Sequence, residues 1–183
     1  MKNKMIKLPV FLGCVVAVCG IILALVNALT SPIIDAYKRE QAMKSYKEMY
    51  QEFNVEGSHI SDEIEVSNIS GCKNKREIIN DSVKGIAYTC QVDGFGGKVD
   101  FIVAFGNGKF IGYADLGNSE TGTYGQIVIG NMNETVNGLD ANSSLSENSS
   151  FKSLIAGKSV TGNALADAIE NCRADYIAWY EAQ

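Results

Sequence analysis

The chain has 183 residues, with 16 basic and 21 acidic side chains and a formal net charge of -5. This length leaves room for a membrane anchor and one compact domain of ordinary size, but not for a second large core. The acidic balance argues against a nucleic-acid-binding protein, and His59, the single histidine, rules out a histidine-rich metal site.

The first predicted element is a helix that crosses a membrane. Residues 1–7 form a basic N-terminus with Lys2, Lys4 and Lys7, and residues 8–30 are almost entirely apolar or small. A helix of this length spans roughly 30 Å, the thickness of a hydrocarbon layer. The run is too long for the apolar part of a cleaved signal peptide. By the positive-inside rule the lysines keep the N-terminus in the cytoplasm, so the rest of the chain is expected on the outer side of the cell membrane.

Residues 31–56 are predicted to form an amphipathic helix and a linker. Ala42, Tyr46, Met49 and Phe53 recur at helical spacing, with charged residues between them. This apolar stripe is expected to pack against the core of the next domain or against a partner protein.

Residues 57–183 are predicted to form one domain that contains an antiparallel sheet. Three segments, 83–92, 98–105 and 109–116, alternate in polarity or are rich in β-forming residues, and glycine-containing turns separate them. The pair Asn107-Gly108 favours a tight hairpin, because both residues tolerate a positive φ. The pattern therefore predicts three consecutive strands in a meander.

The other parts of this domain carry weaker or different patterns. Residues 54–81 are polar, with only short β-prone pieces such as 64–69, and residues 127–129 are predicted to form a further short strand. Residues 131–150 are rich in Asn and Ser and are predicted to form a long surface loop. A closing helix is predicted from Gly162 to about Tyr180, with one apolar stripe that faces the core.

The turn before the closing helix is a candidate site for a phosphate group. Gly157 and Gly162 allow the backbone to approach a ligand closely, and Ser159, Thr161 and Asn163 supply side-chain oxygens. The free N–H groups at the beginning of the helix would also attract an anion. The alternative is that Thr161 or Asn163 only N-caps the helix.

The cysteines do not form a recognised metal-binding motif. Cys72, Cys90 and Cys172 lie in the predicted outer domain without a C-x-x-C spacing, which excludes a zinc ribbon and the common iron–sulfur motifs. No metal site is therefore predicted. Cys72 and Cys90 flank a predicted hairpin region and can pair in an oxidising compartment. The alternative is that all three are small buried thiols.

The order of these elements and two loop sequences resemble a known family. The anchor, the charged helix, the strands around Gly94-Phe95-Gly96-Gly97, the loop at 119–125 and the final turn are similar to the FMN-binding domain of the G subunit of the Rnf electron-transport complex. The C subunit of the sodium-pumping NADH:quinone oxidoreductase shares that domain. The resemblance covers nearly the whole chain. It implies an α+β fold, in which an N-terminal transmembrane helix precedes one extracytoplasmic domain with an antiparallel sheet and a C-terminal helix.

The loop motif of the family is kept in part. Where the family has E-T-P-G-L-G, this chain keeps Glu120, Thr121 and Gly125, and it has Gly-Thr-Tyr at the three positions between, ending in Tyr124. The resemblance implies that the flavin ring lies near this loop. Thr121 would hydrogen-bond the ring and Tyr124 would lie against it.

The attachment motif of the family, D-x-x-S/T-G-A-T, has changed further. Ser153 stands at the aspartate, Ala156 at the Ser/Thr and Lys158 at the alanine, while Gly157 is kept. Ser159 takes the place of the threonine that carries FMN through a phosphoester, and Thr161 is the next hydroxyl along the chain. The resemblance therefore implies FMN bound at this turn, with Ser159 as the candidate for covalent attachment and Lys158 as a cation beside the phosphate.

The function that the resemblance implies is electron transfer rather than catalysis by this chain alone. The protein would be a membrane-anchored flavoprotein subunit that relays electrons through FMN to other membrane subunits of an Rnf-like ion-translocating complex. A flavin transferase would attach the cofactor. Two alternatives stay open: a free-standing extracytoplasmic flavoprotein, and a degenerate subunit that has lost its flavin and serves a structural or ligand-binding role.

Overall fold

The computed structural model describes residues 2–122, 124–157 and 159–182, and the side chains of residues 2–8 and of residue 159 fall outside that description. The chain divides into two compact units, Met1–Glu40 and Gln41–Gln183. Helix α1 covers Lys2–Met49, so that its last turns belong to the second unit.

The first unit is the apolar part of α1. Among the described residues, one helical stretch, Pro9–Met49, contains a window long and apolar enough to cross a membrane, and none of that window is buried. Pro9 and Pro32 both lie inside the helix. The length and composition of this stretch agree with the predicted membrane-spanning helix.

The second unit is built on one antiparallel sheet. Within the described residues the sheet has five strands, and they lie side by side in chain order. The strands are β1 Ile64–Glu65, β2 Cys72–Ile79, β3 Lys84–Asp93, β4 Lys98–Gly106 and β5 Lys109–Asn118. The predicted three-strand meander is confirmed as β3 to β5.

The tight hairpin between β4 and β5 is also confirmed. Gly106 pairs with Lys109, and the two residues between them both have positive φ, 50° at Asn107 and 78° at Gly108. Glycine and asparagine adopt this backbone conformation more easily than other residues, which explains why the sequence pattern predicted it correctly.

The helices that follow the sheet differ from two predictions. Residues 127–129 lie in helix α2, Gly125–Val136, and do not form a strand. The predicted long loop at 131–150 is too long: its first residues belong to α2, a short 3-10 helix covers Leu145–Glu147, and α3, Ser149–Ile155, begins before its end. Residues 137–144 remain as a shorter loop between α2 and the 3-10 helix. The buried side chains of α2 recur at helical spacing, at Val128, Ile129, Met132 and Val136. The asparagines between them lie on the exposed face. Because they make the segment rich in Asn, its composition predicts a loop and not a helix.

Helix α4, Ser159–Glu181, closes the domain, and both faces of the sheet are covered. On β4, Phe101, Val103 and Phe105 belong to a core shared with the helices α2 to α4. Ile102 and Ala104 point to the opposite face. There they belong to a second core with Ala42, Tyr46 and Tyr50, which come from the end of α1 and the residue after it. The apolar stripe predicted at 42–53 therefore packs against the sheet.

Glu170 on α4 holds the loop between α2 and α3 in place. Its Oε1 accepts hydrogen bonds from Ser144 Oγ at 2.8 Å and from the Leu145 N–H, and its Oε2 accepts one from Arg173 Nε at 2.6 Å. Burial favours a higher pKa, but these hydrogen bonds outweigh it and hold the pKa of Glu170 below its usual value of 4.5. A carboxyl group whose pKa is lowered on folding stabilises the fold above its unfolded pKa, and this contribution is lost as the pH falls through the folded pKa.

We therefore expect Glu170→Gln to lower the melting temperature at pH 7, and the difference from the unaltered protein to shrink as the pH falls below about 4. Thermal unfolding followed by circular dichroism at pH 7 and at low pH measures this. Glu134→Gln, on the exposed face of α2, is the matched control and should have little effect at either pH. A difference for Glu170→Gln that does not change with pH would contradict this account.

Candidate functional site

Three segments of the second unit meet at one cavity. They are the turn between β3 and β4, the loop that follows β5, and the beginning of α4. The cavity has a volume of about 270 Å³. Its lining comprises Phe95, Glu120, Thr121, Tyr124, Gly125, Gly157, Val160 and Thr161. Segments far apart in the chain therefore build a single concave site.

The side chain of Thr161 ties the three segments together. Its Oγ1 donates a hydrogen bond to Glu120 Oε1 at 2.7 Å and accepts one from the Phe95 N–H at 3.1 Å. Thr161 is only 3% exposed and Glu120 only 8%. The bond to Glu120 is buried and the bond from Phe95 is partly buried, so this hydroxyl group helps to hold the turn and the loop against the helix.

The second carboxyl oxygen of Glu120 has no hydrogen-bond partner among the described residues. Its Oε2 is buried and makes no hydrogen bond with any described residue. A buried polar atom left without a partner destabilises a protein by about 1–3 kcal/mol, so such atoms are uncommon. An N–H or O–H group of a ligand in the cavity would satisfy this oxygen.

Glycines surround the Glu120 carboxyl group closely. A Cβ atom at Gly94 would overlap Glu120 Oε1, and one at Gly125 would overlap Oε2 and lie 2.6 Å from Cδ. A Cβ atom at Gly96 would lie 2.5 Å from the carbonyl oxygen of Ser119. Only glycine fits at these three positions, because the backbone of the turn and of the first residue of α2 lies directly against the loop.

Two aromatic side chains stand at the rim of the cavity. Phe95 is 74% exposed and Tyr124 is 61% exposed, although large aromatic residues are usually buried in a domain of this size. Both rings are free to pack against a flat ligand. Val160 and Gly125 complete the lining.

The remaining part of the site is the turn into α4. Gly157 has a φ of 73°, a conformation that favours glycine, and α4 begins at Ser159. The first N–H groups of a helix have no partner inside it and can bind an anion. Thr161 and Asn163 lie inside the helix, so the alternative in which either one N-caps it is wrong. Lys158 and the Ser159 side chain lie outside the described residues.

The structure places most of the predicted site residues around this one cavity. Glu120, Thr121, Tyr124, Gly157 and Thr161 all line it. Phe95, Gly125 and Val160 also line it but were not predicted as site residues. An exposed phenylalanine inside a run of glycines is the signal that could have identified Phe95.

A second group of reactive side chains lies under α4. Cys72 and Cys90 are directly opposite each other on β2 and β3, and Cys172 of α4 places its Sγ 3.5 Å from that of Cys90. All three are free thiols. Hydrogen bonds from Cys172 and Cys90 lower the pKa of Cys72, whereas burial raises the pKa of Cys90 and of Cys172.

A scan of the chain against protein-family models finds no matching family, and a search of curated proteins finds no match either.

Proposed function

We propose that the protein is a membrane-anchored flavoprotein that holds FMN in the cavity between the turn at 94–97, the loop at 119–125 and the beginning of α4. The observation that carries this proposal is the cavity itself. It combines a buried carboxyl oxygen without a partner among the described residues, two exposed aromatic rings and, in its lining, residues of the first turn of α4.

The residues present fit the parts of FMN. The unpartnered Oε2 of Glu120 would accept a hydrogen bond from an N–H group of the flavin ring. Phe95 and Tyr124 at the rim would lie against the faces or edges of the ring. Bound FMN would supply reversible electron transfer, and the surrounding protein groups would set its potential.

The phosphate of FMN would lie at the turn into α4. Gly157 has no side chain that would keep a phosphate away from the backbone. The N-terminal end of the helix favours a negative charge. Lys158, which follows Gly157 in the sequence, adds a positive charge. The cavity, at about 270 Å³, is slightly smaller than typical ligand pockets, whose volumes are roughly 300–1,000 Å³. It therefore suits the ring part of the cofactor, with the phosphate outside it.

FMN would be held either by these contacts alone or through an additional phosphoester to Ser159. For the ester, a flavin transferase would supply a flavin dinucleotide as donor. The Ser159 Oγ would form a bond to the phosphorus of the FMN half, the bond from that phosphorus to AMP would break, and the hydroxyl proton would be released. No change in oxidation state accompanies this step.

The cellular role that we propose follows from the anchor. The helix within Pro9–Met49 would keep the protein in the cell membrane, with Lys2, Lys4 and Lys7 on the cytoplasmic side and the flavin domain outside. The FMN would relay electrons to and from other membrane subunits of an Rnf-like ion-translocating complex. The changes at Ser153, Ala156 and Lys158 favour a second candidate, a subunit of the same fold that has lost its flavin and plays a structural role.

Flavin loading of the full-length chain tests this proposal. The protein is produced together with a flavin transferase, purified in detergent, and examined for flavin absorbance per chain and for in-gel fluorescence after denaturation. We expect about one flavin per chain. The Ser159→Ala variant tests whether FMN is attached through the phosphoester, and Thr161→Val tests whether flavin binds in the cavity. Ser150 is an exposed serine on α3, so Ser150→Ala is the matched control.

The outcomes separate the alternatives. Fluorescence that survives denaturation and disappears in Ser159→Ala supports covalent attachment, while native flavin that is lost on denaturation and reduced at least tenfold in Thr161→Val supports binding by contacts alone. An unaltered chain without any flavin overturns the proposal and favours the structural subunit. Flavin that is unchanged in both variants overturns the assignment of the site.

A further inference from the structure

The three cysteines under α4 form a compact group of sulfur atoms. The Sγ atoms of Cys72, Cys90 and Cys172 all lie within 4.8 Å of one another, and the shortest separation, between Cys90 and Cys172, is 3.5 Å. A disulfide would require a separation of about 2.05 Å. When thiolates bind one metal ion at about 2.3 Å, their sulfur atoms lie about 3.8–4.0 Å apart, which is within the observed range.

The three sulfur atoms come from the β2–β3 strand pair and from helix α4. Cys72 and Cys90 face each other across the β2–β3 pair, and α4 supplies Cys172 from a position 82 residues after Cys90. Cys90 and Cys172 are fully buried, whereas Cys72 is half-buried at the edge of the group. An ion can therefore reach the sulfurs past Cys72 and is then enclosed by the domain.

The surroundings favour three ligands over four. In the part of the chain that the structure describes, no histidine or carboxylate completes this group as a fourth ligand. The nearby carboxyl group of Asp175 is already bound, because its Oδ2 accepts hydrogen bonds from Lys75 Nζ and Tyr88 OH, both at 2.7 Å. His59 is only partly exposed, and its Nδ1 accepts a hydrogen bond from the Glu56 N–H. Structural zinc sites almost always have four ligands, whereas thiolates without a fourth ligand suit monovalent copper.

We propose that Cys72, Cys90 and Cys172 form a three-sulfur binding site for monovalent copper. The thiol protons that the metal displaces are released to solvent, and no electron is transferred. This site is distinct from the cavity that contains Glu120. Cys172 follows Thr161 by eleven residues on α4, which corresponds to about 16 Å along the helix. The proposal is therefore independent of the flavin.

Anaerobic titration with monovalent copper against a coloured chelator tests the site. The full-length chain is purified in detergent with Cys14→Ser and Cys19→Ser already in place, so that these cysteines of α1 do not contribute. We expect one copper ion per chain and a higher melting temperature of the copper-loaded protein. Cys72→Ser should weaken binding by about 100-fold or more, since even groups behind a metal ligand change affinity roughly 10- to 100-fold.

Cys72 is the most informative position, because its partial exposure lets a serine be tolerated without unfolding the domain. Cys172→Ala probes the buried part of the site, and circular dichroism shows whether that variant folds. X-ray absorption of the copper-loaded chain should show three sulfur neighbours. Absence of copper binding, binding unchanged in Cys72→Ser, or one bound zinc ion that monovalent copper does not displace would each overturn the proposal.

Discussion

Replacing Gly125 with alanine is expected to abolish flavin binding while the sheet stays folded. Gly125 is buried at the first residue of α2, and a Cβ atom there would overlap Glu120 Oε2 and lie 2.7 Å from its Cγ. The Glu120 side chain would have to leave its position. Its hydrogen bond with Thr161 would then be lost, and the loop would separate from α4.

The substitution isolates this steric effect. Alanine is a better helix former than glycine by about 1 kcal/mol, so α2 itself is not weakened. Gly122→Ala in the same loop is the matched control, because a Cβ atom there would have nothing within 4 Å. Flavin absorbance per chain should fall at least tenfold in Gly125→Ala and stay unchanged in Gly122→Ala. Full flavin content in Gly125→Ala would mean that the cofactor does not occupy this cavity.

Truncating Phe105 to alanine is expected to remove a large part of the stability of the domain. Phe105 lies fully buried on β4 and packs against three rings, with centroid distances of 4.6 Å to Phe110, 5.0 Å to Tyr176 and 5.9 Å to Tyr88. Truncating a buried phenylalanine destabilises by about 3–5 kcal/mol. Domains of this kind are stable by only about 5–15 kcal/mol, so the loss in Phe105→Ala is a large share of the free energy of unfolding.

Urea unfolding followed by the fluorescence of Trp179 measures this effect, because the chain contains one tryptophan and Trp179 packs at the edge of the same core. Ile79→Ala is the control. This residue lies at the end of β2 and is 45% exposed, so its truncation should cost less than about 1 kcal/mol. An equal loss of stability in both variants would contradict the central place of Phe105 in the core.

Several elements were predictable from local sequence alone. The apolar run of α1, the strands β3 to β5 and the helix α4 each carry a periodic pattern within a short window, and Asn107-Gly108 has the backbone preferences that its hairpin requires. Such a pattern arises because the residues on one side of a helix or strand face the same environment. It can therefore be recognised without knowledge of the rest of the fold. The loop at 119–125 and the turn at Gly157 are predicted as a candidate site from their residues and from the resemblance that they carry.

Other features depended on contacts that no short window contains. Strand β2 is rich in charged residues and was not predicted, because its pairing with β3 rather than its own polarity makes it a strand. Helix α2 was predicted as a strand and a loop, because exposed asparagines stand between the side chains that it buries against the sheet. In both segments a tertiary surface decided the structure against the local pattern.

Both candidate sites also depend on tertiary contacts. Local sequence determined that a glycine-rich turn, an acidic loop and a hydroxyl-rich turn were present, but only the tertiary structure brought Glu120 and Thr161 together across 41 residues. It likewise placed Cys172 beside Cys90. Hydrogen-bonding and metal-binding sites depend on distances of a few ångströms between atoms. Chain order leaves those distances undetermined until the sheet and α4 pack against each other.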